Sequence, residues 1–276
     1  MNMSHTTGAK PRPTPAGTRV IRVTIRRQDG PAKPQRTESY DVKVDNGANV
    51  ISVLQTIAMA PVTVEGKAST PVAYDSGCLE EVCGSCTMLI NGKVRQACSA
   101  LIDDYCPNPG DEITLEPMSK FPVIRDLSVD RERMFATQKR LRGWVPIDGT
   151  YDLGAGPREM PDRQETRYVL STCMTCGCCL EACPQYTLEP DPDRWPSAFV
   201  GATAISWARY FNMHETGKAL AKVRLTELSR PGGVSDCGNA QNCVKVCPKE
   251  IPLTESIGAI GRDVTVHNIK EFFAGR

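Results

Sequence analysis

The stretch "CMTCGCCLEACP", Cys173–Pro184, sets five cysteines within eleven residues ahead of a proline, and "CGNAQNCVKVCP", Cys237–Pro248, repeats its outline. Aligned by their endings, the runs match Cys173 with Cys237, Cys179 with Cys243 and Cys183 with Cys247, and Ala240 stands where a partner for Cys176 is due. Thiols this close together either pair or bind metal. The chain has 13 cysteines, an odd number, in tight spacings, and its first residues lack the apolar segment of a secretory signal. Metal ligation in a reducing compartment is therefore expected rather than disulfides.

The first run reads C-x2-C-x2-C-x3-C-P, the bacterial-ferredoxin spacing in which three cysteines hold one cluster and the fourth crosses to another. Crossing the fourth ligands groups Cys173, Cys176, Cys179 and Cys247 as a complete [4Fe–4S] set. It leaves Cys183, Cys237 and Cys243 as three thiolates suited to a [3Fe–4S] cluster, in which the iron that Ala240 cannot hold is missing. A four-iron cluster with one non-protein ligand is an alternative for the second group, and a zinc site fits the proline-terminated spacing poorly. Cys178 and Cys106 have no place in these sets and are expected as small buried hydrophobes. His5, His214 and His267 stand near no ligand pattern.

Toward the N-terminus, "CLEEVCGSC" followed by Cys98 gives C-x4-C-x2-C and then a distant fourth cysteine, the plant-type [2Fe–2S] spacing. Cys78, Cys83, Cys86 and Cys98 are its candidate ligands. The Gly-Ser step lets the backbone fold tightly and aim amides at sulfur. Alternation in "RVIRVTIRR" (19–27) and "SYDVKVD" (39–45) predicts two strands, and "VISVLQTIA" switches to helical period. Asn91-Gly92 predicts a hairpin, and "DEITLEP" a further strand. After Pro122 the strand pattern stops, and "DRERMFATQKRL", with Asp130 as acidic cap, "SAFVGATAISWARYF" and "KALAKVRLTELSR" predict helices.

The expected architecture is α+β in two domains. A plant-type ferredoxin (β-grasp) domain with a helix across a small mixed sheet occupies 18–121, and an all-α bacterial-ferredoxin-like domain occupies 122–276. Residues 1–17, rich in Pro, Thr and Gly, read as a loose tail. Lys and Arg total 33 against 32 Asp and Glu, a formal charge of +1, which implies no attraction to nucleic acid. No run of about eighteen apolar residues exists to span a bilayer. "GAGPRE" at Gly154 does not complete a dinucleotide fingerprint, so flavin and substrate are expected on another chain.

Both cluster spacings in one chain, with the third group short of a thiolate, resemble the iron-sulfur subunit of succinate dehydrogenase and fumarate reductase over roughly Thr18 to Phe273. The segments that carry the resemblance are "CGSC", "FPVIRDLSVD" (121–130), "CMTCGCCLEACP" and "DCGNAQNCVKVCPKEIPL". The last looks most like enzymes that pair with a dihaem cytochrome b and use menaquinone. The resemblance implies an electron relay from the covalently bound FAD of a flavoprotein subunit, through the two-, four- and three-iron clusters, to quinone at a membrane-anchor cytochrome b subunit carrying haem b. It places the chain peripherally on the cytoplasmic side of a bacterial plasma membrane. It also implies Pro184, Asn239 and Ala240 as walls of the quinone pocket. Thr187 stands where many ubiquinone-linked relatives have tryptophan, which weakens transfer of their quinone contacts; Trp195 reads as an anchor for the helix that follows. Quinol:fumarate reduction by the same relay in reverse, the iron-sulfur subunit of another flavin-linked dehydrogenase, and a free electron carrier are the competing functions.

Overall fold

The computed structural model describes residues 17–146 and 158–274; residues 1–16 of the expected tail and the start of the Gly154 segment lie outside them. Strands β1 (Arg19–Arg27) and β2 (Arg36–Val44) run antiparallel, and helix α1 (Val50–Met59) follows. A hairpin of β3 (Thr87–Ile90) and β4 (Lys93–Gln96), the short helix α2 (Ile102–Tyr105) and β5 (Glu112–Glu116) complete the first unit. The sheet order is β2-β1-β5-β3-β4, with β1 and β5 parallel and the other neighbours antiparallel.

Alternation decides which face of β1 turns inward. Ile21, Val23 and Ile25 are fully buried and meet Ile113 and Leu115 of β5, while α1 supplies Val50, Val53, Leu54 and Ile57 to the same core. Asn49 starts that helix with a reciprocal cap: its side chain accepts from the Ser52 amide at 2.9 Å, and Ser52 Oγ accepts from the Asn49 amide at 3.1 Å. The Asn49 amide group also donates to the Cys98 carbonyl at 3.0 Å, which ties the helix start to the last candidate ligand of the first group. Cys106 is fully buried in this core, where burial pushes its thiol up to about 11.

The second unit contains α3 (Glu132–Arg140), α4 (Pro161–Ser171), α5 (Cys178–Glu181), α6 (Gly201–Met213), α7 (Ala221–Leu228), α8 (Asn242–Lys245) and α9 (Leu253–Ala274). Helix α6 lies at its centre and packs against α3, α4, α5, α7 and α9. Its inward residues are mostly small (Gly201, Ala202, Thr203, Ala204, Ser206, Ala208), so neighbouring helices approach closely. Among the described residues no helix is long and apolar enough to cross a membrane.

One sequence expectation needs correction. Strands do not stop at Pro122: β6 (Val123–Arg125) and β7 (Ser128–Val129) form a small hairpin turning at Asp126, whose φ is 48°. Strands of three and two residues are too short to show alternation, which is why the pattern missed them. The hairpin also interleaves the units. Met118 and Phe121 pack in the helical core, whereas Leu127, later in the chain, packs in the sheet core. Asp126 fixes this crossover: wholly buried, it accepts from Arg27 at 2.9 and 3.1 Å, from the Gln28 amide at 3.0 Å and from the Ala73 amide at 2.9 Å.

Arg27, equally buried, also pairs with Glu38 at 2.6 Å. Burial alone would raise the Glu38 carboxyl, but hydrogen bonds from Tyr40, Arg36 and Ser69 and the charge of Arg27 hold it down to about 2. Removing one partner of a buried pair strands the other charge, so Asp126→Ala is expected to destabilise the sheet unit by about 3–5 kcal/mol. Urea unfolding followed by circular dichroism checks this, and an unchanged midpoint overturns it. The contribution of Glu38 is complete above its ordinary value of 4.5 and is lost as pH falls toward 2. Glu38→Gln should therefore flatten the acid limb of the stability profile between those values.

Candidate metal centres

The first group sits on an irregular loop before β3. Regular secondary structure would pair the loop's amides with carbonyls; here they turn to sulfur. Cys78 Sγ accepts from the amides of Glu80 at 3.5 Å, Val82 at 3.2 Å and Cys83 at 3.3 Å, Cys83 Sγ from the Cys78 amide at 3.4 Å, and Cys98 Sγ from the Glu81 amide at 3.3 Å. Leu79 and Glu81 adopt left-handed backbone, φ 62° and 57°, to turn the amides inward. Ser99 Oγ, donating to the Glu81 carboxylate at 2.6 Å, holds that turn from the strand side. A hydrogen bond from Ser85, with the Cys78 amide, lowers the Cys83 thiol to about 6, while burial raises Cys86 to about 11. Amides converging on sulfur are the surroundings a thiolate-ligated iron cluster requires, so these residues fit a [2Fe–2S] group.

The second and third groups repeat one backbone. Thr175 and Gly177 flank Cys176 with φ 53° and 88°; 64 residues later Asn239 and Gln241 flank Ala240 with φ 52° and 59°. Helices α5 and α8 begin at the same point of each run, each behind a left-handed residue. Ala240 thus occupies the conformation of a ligand without its sulfur. Cys173, Cys176, Cys179 and Cys247, together with Cys178, line a cavity that Thr203 and Ile251 help to wall. Cys183, Cys237, Cys243 and Ala240 line another, with Phe199 and Ile257. Each run therefore sends its last cysteine into the cavity of the other. Among the described residues no three His, Cys, Asp or Glu side chains converge on a single ion; the sulfurs surround spaces suited to a multi-iron group.

The remaining expected residues are placed less uniformly. Pro184 lines the third cavity beside Ala240, but Asn239 faces a neighbouring groove with Cys237, Gly258 and Gly261 of α9. Trp195 is partly buried and its indole donates to the Glu189 carbonyl at 2.9 Å. Thr187 is exposed, and its carbonyl accepts from Arg133 at 2.6 Å. His214 accepts from the amides of Thr216 and Gly217, and His267 bonds Thr226; neither joins a cysteine group.

Contacts between the groups were not visible in the cysteine spacing. Gly84, at φ 70°, presses against Cys176: a Cβ there would lie 2.7 Å from the Cys176 Cα. Only glycine permits this approach. Arg131 donates to the carbonyls of Gly84 at 2.8 Å, Ser85 at 2.7 Å and Cys176 at 3.4 Å. Gln96, two residues before Cys98, donates to Cys178 Sγ at 3.1 Å and to Thr87 Oγ1 at 3.1 Å. Cys178 is buried, as expected of a small hydrophobe, and in addition accepts this bond across the two units. Glu181 accepts from Ser119 Oγ at 2.6 Å and from the Ser119 and Lys120 amides at 3.1 Å, fastening α5 to the crossover.

Comparison with known proteins agrees with this division. Residues 22–136 match a family described as a 2Fe-2S iron-sulfur cluster binding domain, and residues 169–251 a 4Fe-4S dicluster domain. The succinate dehydrogenase iron-sulfur subunit of Bacillus subtilis is 48% identical over 92% of this chain and 96% of its own length. The fumarate reductase iron-sulfur subunit of Mycobacterium tuberculosis is 31% identical over 72% of this chain and 77% of its own. A chain of the Mycobacterium smegmatis Sdh1 complex in the apo form shares the fold, with TM-score 0.70 and 21% identity over 90% of this chain and 96% of that one. With nearly half its residues shared along almost the whole of both chains, this electron-transfer protein belongs to the family of succinate dehydrogenase and fumarate reductase iron-sulfur subunits.

Proposed function

We propose that Cys78, Cys83, Cys86 and Cys98 hold a [2Fe–2S] cluster, Cys173, Cys176, Cys179 and Cys247 a [4Fe–4S] cluster, and Cys183, Cys237 and Cys243 a [3Fe–4S] cluster, and that the chain relays electrons from a flavoprotein's FAD to quinone. The observation that carries this reading is the exchange of Cys183 and Cys247 between the two cavities of the helical unit, with Ala240 in ligand conformation at the one corner lacking sulfur. When bound, the clusters supply one-electron redox chemistry. The chain's own part is to fix their order. Gly84 against Cys176 sets the first group beside the second, and the helix pair α5 and α8 sets the second beside the third.

Succinate oxidation is the favoured direction, supported by the 48% identity to the Bacillus subtilis succinate dehydrogenase subunit, while a second succinate dehydrogenase relative at 32% stands level with a fumarate reductase relative at 31%. The partners are an FAD-bearing flavoprotein and a membrane anchor, the anchor being a cytochrome b of the dihaem type. Menaquinone is the acceptor, and the cytoplasmic face of the plasma membrane is the location. Pro184 and Ala240, which share the third cavity, form the wall nearest the quinone, with Asn239 in the adjoining groove.

Supplying the missing sulfur tests the alignment. Ala240→Cys should admit a fourth iron and lower the potential of the third cluster, read by electron paramagnetic resonance of the assembled complex. An unchanged three-iron signal rejects the alignment. Cys247→Ser should damage the four-iron signal although the residue lies in the second run; loss of the three-iron signal instead rejects the crossed assignment.

A further inference from the structure

Arg131 is placed unlike the other described arginines. It follows the β6–β7 hairpin directly, and its guanidinium enters the seam between the two units, where it bridges the carbonyls of Gly84 and Ser85 on the first cysteine loop and of Cys176 on the second. Among the described arginines it alone donates to both loops. Its described hydrogen bonds all go to carbonyls, and the Asp75 carboxylate attracts it through space. Burial penalises its charge, and the first group that offsets this is the Asp75 carboxylate.

A partly buried cation whose hydrogen bonds all go to neutral carbonyls is costly unless negative charge lies close by, and Asp75 supplies part of that charge. A cluster held by four thiolates carries net negative charge, and reduction adds to it. Resting on the ligand reading above, we infer that Arg131 is a positioning residue that ties the first and second cluster loops together and raises the potential of both clusters through its charge. The effect is shared because a single guanidinium touches both loops, and it is local because Arg131 touches none of Cys183, Cys237 and Cys243. The contact of Gly84 with Cys176 and the bond from Gln96 to Cys178 keep the seam narrow, so the charge acts on both sides across a few side chains.

The test compares Arg131→Gln, which removes the charge, with Arg131→Lys, which keeps it but loses the planar fork, in the full complex made in its native host. Iron content and the three cluster signals are measured first; a wild-type complex without three separate signals overturns the ligand reading and the role of Arg131 with it, whereas three normal wild-type signals leave only the role of Arg131 at stake. Potentiometry with electron paramagnetic resonance then gives each midpoint. A unit charge at about 10 Å in a medium of effective dielectric about 20 changes an equilibrium roughly tenfold. Arg131→Gln should therefore lower the reduction constants of the first and second clusters about tenfold each, about 59 mV for a one-electron couple, and leave the third in place. Arg131→Lys should restore most of the loss. Unmoved first and second midpoints in Arg131→Gln, or an equal fall in Arg131→Lys, overturn the inference. If Arg131→Gln does not assemble, Arg131→Lys decides alone: midpoints near those of the wild type uphold the electrostatic role, and a tenfold fall rejects it.

Discussion

The helical unit is organised by one arrangement: each of the two cysteine runs places its last cysteine in the wall of the other's cavity. Cys247 enters the cavity of the first run and Cys183 that of the second, so neither run is complete without the other. This arrangement explains the backbone. A ligand loop with two left-handed residues around its central position is unfavourable for ordinary side chains, yet it occurs twice at the same spacing, and in the second copy Gln241 adopts a conformation that Gly177 meets in the first at no steric cost. The core of α6 with α9 supplies the rigid frame against which both loops are held.

The same economy governs the seam between the units. Chain order and spatial order are interleaved there, with Met118 and Phe121 serving the helical core and Leu127 the sheet core. A hinge would need few ties and polar surfaces on both sides. Here Asp126 is locked under Arg27, Glu181 holds Ser119 and Lys120, and Gly84 touches Cys176 backbone to backbone. The distance between the first two cysteine groups is therefore set by packed contacts and not by linker length.

The sequence made the chemistry more legible than the scaffold. Cysteine spacing is a covalent ruler, and the four residues of the first group, the two runs and the gap at Ala240 were all readable from it. Strands β1 to β5 followed from alternation and the Asn91-Gly92 turn, because one face of the sheet is fully buried. Helices α4 and α9 were not foreseen. α9 carries Gly258, Gly261 and a β-branched run at Val264–Val266, so its propensity is poor, and burial of Leu253, Ile260 and Val264 against the unit overrides it. Asp130 does bond the Glu132 amide at 2.7 Å, although the helix cap itself falls on Arg131. Gly84 was legible as part of a tight Gly-Ser turn but not as a contact of Cys176, and Arg131 and Gln96 gave no signal, since nothing in residue type or spacing says that a hairpin neighbour and a strand residue will meet a loop 45 and 82 positions away.

The exchange of terminal cysteines also sets an order of events in the life of the chain. As it leaves the ribosome, the pocket around Cys173, Cys176 and Cys179 stays open on one side until the segment bearing Cys247, 64 residues after Cys183, has emerged. Closure of both helical pockets is thereby deferred until the second run has been made, and a message cut short before that point yields a product in which neither pocket has its full wall.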